Sequence, residues 1–147
     1  KEGILPKVAV QNDNEYDALM RFTADMKEGD SQKYAKIISD YANRTKCFLN
    51  PELDIKILSH KTGISQEKIT QSLKEIYNTN FYDFINKLRI ERAINVLKED
   101  THNQQTIDTI TFQSGFASRE DFLKSFKYYT GKSLSQWLKD IGSTNII

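Results

Sequence analysis

Cysteine is almost missing from this chain: Cys47 is the single thiol in 147 residues. One thiol cannot close an internal disulfide or build a metal cluster alone, which suits a reducing compartment. Proline (2) and glycine (6) are scarce as well. With so few obligatory breaks, helices are favoured over a turn-rich sheet. No apolar run approaches the ~20 residues that span a bilayer, and no signal peptide is visible. A cytoplasmic location is expected, although the chain opens at Lys1 instead of methionine. That opening suggests a piece of a longer protein, which leaves room for a membrane anchor upstream of residue 1. An excess of one charge is also lacking, with 21 Lys+Arg against 20 Asp+Glu and a net charge of +1. This balance excludes a histone-like tail or an acidic solvating segment, but a near-neutral total can still hide a basic face. His60 and His102 are the only histidines, 42 residues apart. Neither has a metal-ligand spacing or an adjacent acid pair, and no phosphate-cradling glycine loop or nucleophile motif is present. The chain therefore offers no catalytic residue, no metal ligand set and no cofactor site, and it is not read as an enzyme.

The patterning that is present is helical. Residues 1–30 read as a leader that carries one short amphipathic helix over Glu15 to Glu28, with Tyr16, Leu19, Met20, Phe22 and Met26 at helical spacing and Gly29 as its stop. A second helix should start after Asp30 or Ser31, with Tyr34, Ile37, Ile38 and Tyr41 on one face. Asn50-Pro51 marks a break, because proline pushes the preceding residue out of the α region. The first 50 residues carry eight positive and eight negative charges and no visible chemistry, so they read as packing elements.

Beyond that break lies an internal repeat. At a spacing of 53 residues Ser65 corresponds to Ser118, Ile69 to Phe122, Leu73 to Phe126, Asn78 to Gly131, Phe81 to Leu134 and Phe84 to Trp137. Upstream of the serines the spacing is 52: Leu58 corresponds to Ile110, Gly63 to Gly115 and Ile64 to Phe116, so one residue is inserted around Ala117. Each copy reads as a short helix, a tight glycine turn and a longer helix that starts at serine. Gly63 and Gly115 suit a turn position where a Cβ would clash. Ser65 and Ser118 suit N-caps, and Asn78 and Gly131 suit left-handed stops. Two helices joined by such a turn form a helix-turn-helix, over about 54–77 and about 106–130. Between them, about 81–98 has no proline or glycine and should be one amphipathic helix, with Phe84, Ile85, Leu88, Ala93, Ile94, Val96 and Leu97 as its apolar set. Such a rod spans about 27 Å, against about 34 Å between successive major-groove faces on one side of B-DNA. The expected fold class is all-α: two helix-turn-helix subdomains joined by a long linker helix, preceded by one or two extra N-terminal helices.

From about Tyr41 to Leu138 the residues resemble the DNA-binding domain of AraC/XylS-type transcription regulators. The most specific stretch is Ile110-Thr-Phe-Gln-Ser-Gly-Phe-Ala-Ser118, then Phe122, Phe126-Lys127, Thr130-Gly131 and Trp137. Asn80-Phe-Tyr-Asp-Phe-Ile85, with Arg89-Ile90 and Arg92-Ala93, is similar to the start of the family's linker helix, and Phe48 to Leu53 is similar to the entry of members fused to a sensor module. The resemblance assigns residues 31–147 to this domain and implies a seven-helix, two-lobed reader of promoter or operator DNA without a cofactor. The implied partners are double-stranded DNA, RNA polymerase and an upstream sensor domain, with a homodimer left open. The sequence departs from the family at Ser59 and Thr111, where alanine is usual, at Leu134, where proline is usual, and in the acidic opening Arg119-Glu120-Asp121.

On each second helix Ile69, Leu73 and Ile76, or Phe122, Phe126 and Tyr129, should face the core. The opposite faces supply the base-contact candidates Gln66, Glu67, Thr70 and Gln71 in the first copy and Arg119, Glu120, Leu123 and Lys124 in the second. Gln can pair with adenine, Arg or Lys with guanine, Glu with cytosine, and an apolar group with the thymine methyl. Glu67 and Glu120 could equally sit near N2 to complement the helix dipole. Phosphate candidates are Ser65, Lys74, Arg89, Ser118, Lys127 and Lys132. The competing reading is a helical protein–protein interaction module that binds no nucleic acid.

Overall fold

A computed structural model describes residues 30–100 and 105–142, so the leader, the helix expected over residues 15–28 and His102 lie outside the described residues. Among the described residues there are seven α-helices and one 3-10 turn, and no strand. The helices are α1 (Ser31–Thr45), α2 (Ile55–Thr62), α3 (Gln66–Tyr77), α4 (Phe81–Glu99), α5 (Ile107–Gln113), α6 (Arg119–Thr130) and α7 (Leu134–Asp140), with the 3-10 turn at Cys47–Leu49. The chain divides into two compact units. The first runs to Cys47 and resumes over Leu53–Phe84, and the second takes Phe48–Glu52 and everything from Ile85 onward.

In the first unit, α1 buries Tyr34, Ala35, Ile37, Ile38, Tyr41 and Ala42, a stripe at helical spacing, and packs against α3. It ends earlier than the Asn50-Pro51 break suggested. Lys46 adopts the left-handed conformation at φ 56° and its N–H donates to Ala42 O at 2.9 Å. The Asp54 carboxylate accepts from Ile57 N–H at 2.8 Å and starts α2. Gly63 stops α2 at φ 78°. Ser65 starts α3 by accepting from Lys68 N–H at 3.1 Å, and Asn78 ends it at φ 53°. Ile69 and Leu73 are fully buried, but Ile76 is 37% exposed, contrary to its expected place in the core. Beside it Ser31, the first residue of α1, meets Glu75, its hydroxyl donating to Oε1 at 2.6 Å. Tyr77 instead stacks on Phe84, with ring centroids 6.0 Å apart.

In the second unit, Ile90, Ala93, Val96 and Leu97 of α4 share one core with Ile110, Phe116, Phe122, Phe126, Leu134 and Leu138. Edge-on and tilted aromatic contacts run from Phe116 to Phe122 (5.5 Å), on to Phe126 (5.9 Å) and then to Trp137 (5.6 Å). Each such pair is worth about 0.5–1.5 kcal/mol beyond its buried area. Caps repeat the first unit: Thr106 accepts from Thr109 N–H, Ser118 from Asp121 N–H and Ser133 from Gln136 N–H. Gly131 ends α6 at φ 78°. The inserted residue is visible as well. Ile64 and Phe116 are both buried and Ser65 and Ser118 both cap, so Ala117 is an extra exposed step between plug and cap. The α4 helix is one continuous segment of 19 residues.

The hydroxyls that replace alanine have partners, as burial requires. Ser59 donates to Ile64 O at 2.6 Å, and Thr111 donates to Ile107 O at 2.7 Å.

The two left-handed glycines of the second unit differ in what surrounds them. A Cβ at Gly115 (φ 94°) would lie 2.3 Å from Phe48 O and 2.8 Å from Leu49 Cα, whereas one at Gly131 would meet nothing within 4 Å. Gly131→Ala should cost only the left-handed strain, about 1–2 kcal/mol. Gly115→Ala should cost clearly more, because backbone must move, and urea unfolding of both variants measures the gap. A second test concerns Glu75, whose carboxyl is held below the ordinary range by the Ser31 hydroxyl and then by the Gln71 amide. Its lowered value means that the contact stabilises the fold above the ordinary carboxylate range and is lost as pH falls through the folded value. Carboxyl-detected NMR should show early retention of charge on acidification, and Ser31→Ala should move the titration back up.

Candidate nucleic-acid interface

In the first unit the α3 helix turns Ile69, Ser72 and Leu73 inward. Gln66, Glu67, Thr70, Gln71 and Lys74 are all exposed, as their positions opposite the core residues require. Glu67 lies in the first turn, where its charge complements the helix dipole. Gln71 is engaged along its own helix, donating from Nε2 to Glu75 Oε2 at 3.0 Å. Lys68, absent from the sequence-derived set, lies with its ammonium 5.8 Å from the centre of the Tyr34 ring. Only the packing of α1 against α3 reveals that contact.

In the second unit α6 buries Phe122 and Phe126, with Tyr129 half-buried against the same core. Arg119, Glu120, Lys124 and Lys127 are exposed, and Leu123 is half-buried. Arg119 Nε donates to Asp108 Oδ1 of α5 at 3.1 Å. Lys132 is paired with Asp140, and that carboxyl is held below its usual range by Lys132 and then by Gln136. Both pairs lie in solvent, where water and salt screen them, so neither cation is locked to its carboxylate. Tyr128, also not anticipated, is 69% exposed beside Lys127.

Arg89 is the correction. It is 9% exposed, and its guanidinium is taken up inside the second unit. Nε donates to Phe48 O at 2.7 Å, Nη2 to Asn50 O at 3.0 Å and Nη1 to Asn86 Oδ1 at 3.2 Å, with the Phe116 ring 5.8 Å away. The half of α4 that carries Arg89 also supplies the core, so the side chain reaches the Phe48–Glu52 strap and not solvent. Arg89 therefore leaves the phosphate set.

Among the described residues no group of three or more His, Cys, Asp or Glu could hold a metal, and no helix is long and apolar enough to cross a membrane. Each unit holds a short helix, a glycine turn and a serine-capped second helix with a polar outer face, which defines a helix-turn-helix protein. The chain belongs to the AraC-type helix-turn-helix family: the family's helix-turn-helix domain matches residues 58–140, more than half of its length. It is 32% identical over 90 residues to an uncharacterised HTH-type transcriptional regulator of Staphylococcus aureus strain COL, covering 60% of this chain and 12% of that protein. It is also 28% identical over 88 residues to histidine kinase P4 of Formosa agariphila, covering 60% of this chain and 6% of that one. The chain thus spans a small fraction of the length of either relative. Among solved structures, the C-terminal domain of the two-component response regulator yesN from Fusobacterium nucleatum shares the fold. Its TM-score is 0.60 at 20% identity, over 71% of this chain and 97% of that domain.

The role given to Arg89 is checked by Arg89→Met. Leaving the carbonyls of Phe48 and Asn50 without their donor should cost about 2–4 kcal/mol in unfolding. The salt dependence of any DNA affinity should keep its slope, whereas loss of a phosphate contact would lower it by about 1.

Proposed function

We propose that this chain is the sequence-specific DNA-binding output domain of a bacterial transcription regulator and that it reads double-stranded DNA in the major groove. The observation that carries this reading is the chemistry of the outward faces of α3 and α6. Both helices start at a capped serine, bury the same repeat positions and leave equivalent polar or basic positions in solvent. Gln66, Glu67, Thr70, Gln71, Arg119, Glu120, Leu123 and Lys124 supply base-edge contacts, and Ser65, Lys74, Ser118, Lys127 and Lys132 supply phosphate contacts. Arg119 and Lys132 exchange their exposed carboxylate partners for DNA. The domain works in the cytoplasm, is joined to an upstream sensor that sets its activity and communicates with RNA polymerase.

With a net charge of +1, affinity for random duplex should be weak and the cognate site should win by specific contacts. Fluorescence anisotropy against a duplex selected from a random library, and against unselected duplex, should show a clear preference that falls steeply with salt. Lys74→Ala and Lys127→Ala should each reduce the salt slope by about 1 and weaken all sequences alike. Gln71→Ala and Lys124→Ala should each cost about 1–3 kcal/mol on the selected site and relax one base position. Equal affinity for both duplexes, or none for either, would return the chain to the protein-partner reading.

A further inference from the structure

Beside α6 in the second unit lies an apolar hollow of about 580 Å³. Ile107, Leu123, Tyr128 and Leu134 line it, with Lys124 and Lys127 on the same lining. A lone half-buried leucine on a helix needs no explanation. A leucine that shares a hollow with three other large apolar residues, on the face that also presents two lysines, does need one. The lysines call for an anionic occupant, and the apolar wall calls for a hydrocarbon group on it. In a major groove the single apolar group on any base edge is the C5-methyl of thymine.

We propose that Leu123 is a specificity-determining residue that selects thymine by receiving its methyl group against this apolar wall, while Lys124 and Lys127 hold the flanking DNA. The inference rests on the DNA-reading function proposed above and names the base that this part of α6 recognises. The repeat sharpens it. Thr70 occupies the equivalent position on α3, and there a hydroxyl accompanies the methyl, so α3 at that position is free to hydrogen-bond as well. At Leu123 only apolar contact is on offer.

The test is a scan of the duplex that the protein itself selects from a random library. Each thymine is replaced in turn by deoxyuridine, which removes the methyl and leaves every hydrogen-bonding group in place. Affinity of the wild-type chain should fall about fourfold at one position, the value of one buried methyl-sized group. In Leu123→Ala the thymine and uracil duplexes should bind alike at that position, and Lys127→Ala should weaken both equally while keeping their ratio. Circular dichroism reports whether Leu123→Ala is folded, and Leu123→Thr, whose γ-methyl reaches one carbon further than the alanine Cβ, should retain part of the discrimination. The wild-type scan needs no variant. If the selected duplex binds but no thymine is sensitive, or its sensitivity survives in folded Leu123→Ala, the assignment of Leu123 is overturned and the DNA-binding function stands. If no duplex binds, both fall together.

Discussion

A guanidinium seated on backbone carbonyls organises the second unit. Arg89 gathers Phe48 O, Asn50 O and Asn86 Oδ1 around one planar cation, with the ring of Phe116 beside it. Bonds from a charged donor are stronger than neutral ones, and a fork of fixed geometry fixes the groups it touches. The Phe48–Glu52 strap is thereby held against the turn at Gly115, so closely that only a residue without a Cβ fits. Phe116, the next residue, is 2% exposed and opens the aromatic run through Phe122 and Phe126. The Gly115 turn and the buried Phe116 ring, which leads into the aromatic contacts of α6, therefore share one anchor.

The two units reach a helix-turn-helix by the same local chemistry with different tolerances. In both, a left-handed residue ends the second helix and a serine hydroxyl begins it. The first turn closes tightly, because Gly63 is itself the stop of α2. In the second, Ser114 is still in the α conformation and Gly115 follows it, which with Ala117 makes a longer connection. The hydroxyls of Ser59 and Thr111, where a methyl would have sufficed, are consumed by nearby carbonyls. Each adds a bond inside the hairpin without disturbing its packing. Ser72 and Ser114 are buried polar side chains whose hydroxyls have no hydrogen-bond partner among the described residues, a cost the apolar surroundings must offset.

Much of this was legible in the order of residues because local rules decide it. Ser65, Ser118, Asn78 and Gly131 do what their types prefer at helix ends, and the spacing of Ile69, Leu73, Phe122 and Phe126 is that of a buried helix face. What was not legible depends on contacts far apart in the chain. Arg89 carries the look of a surface cation on an amphipathic helix, and only the return of Phe48 and Asn50, about 40 residues earlier, buries it. Ile76 continues the core periodicity of α3, yet it is exposed, and the neighbouring Glu75 meets the Ser31 hydroxyl at the first residue of α1. Lys46 ends α1 with a left-handed turn that lysine seldom adopts, so proline, the louder signal, drew the boundary too late. The apolar hollow by Leu123 has contributions from α5, α6 and the start of α7, and no single stretch of sequence displays it.

The acids at the starts of the proposed reading helices remain to be reconciled with a polyanionic partner. Glu67 on α3, and Glu120 and Asp121 on α6, sit in first turns where the helix dipole favours negative charge, by about 0.3–1 kcal/mol each. In the DNA complex proposed above the same charges repel phosphates and lower affinity wherever no base edge pairs with them. A base-edge amine that meets a carboxylate there relieves the penalty, whereas a mismatched edge leaves it in force. Acids so placed stabilise the free helix and subtract from non-specific binding, which suits a chain whose net charge is only +1. Basic residues in their place would strengthen attraction to any DNA, and the difference between right and wrong sites would shrink.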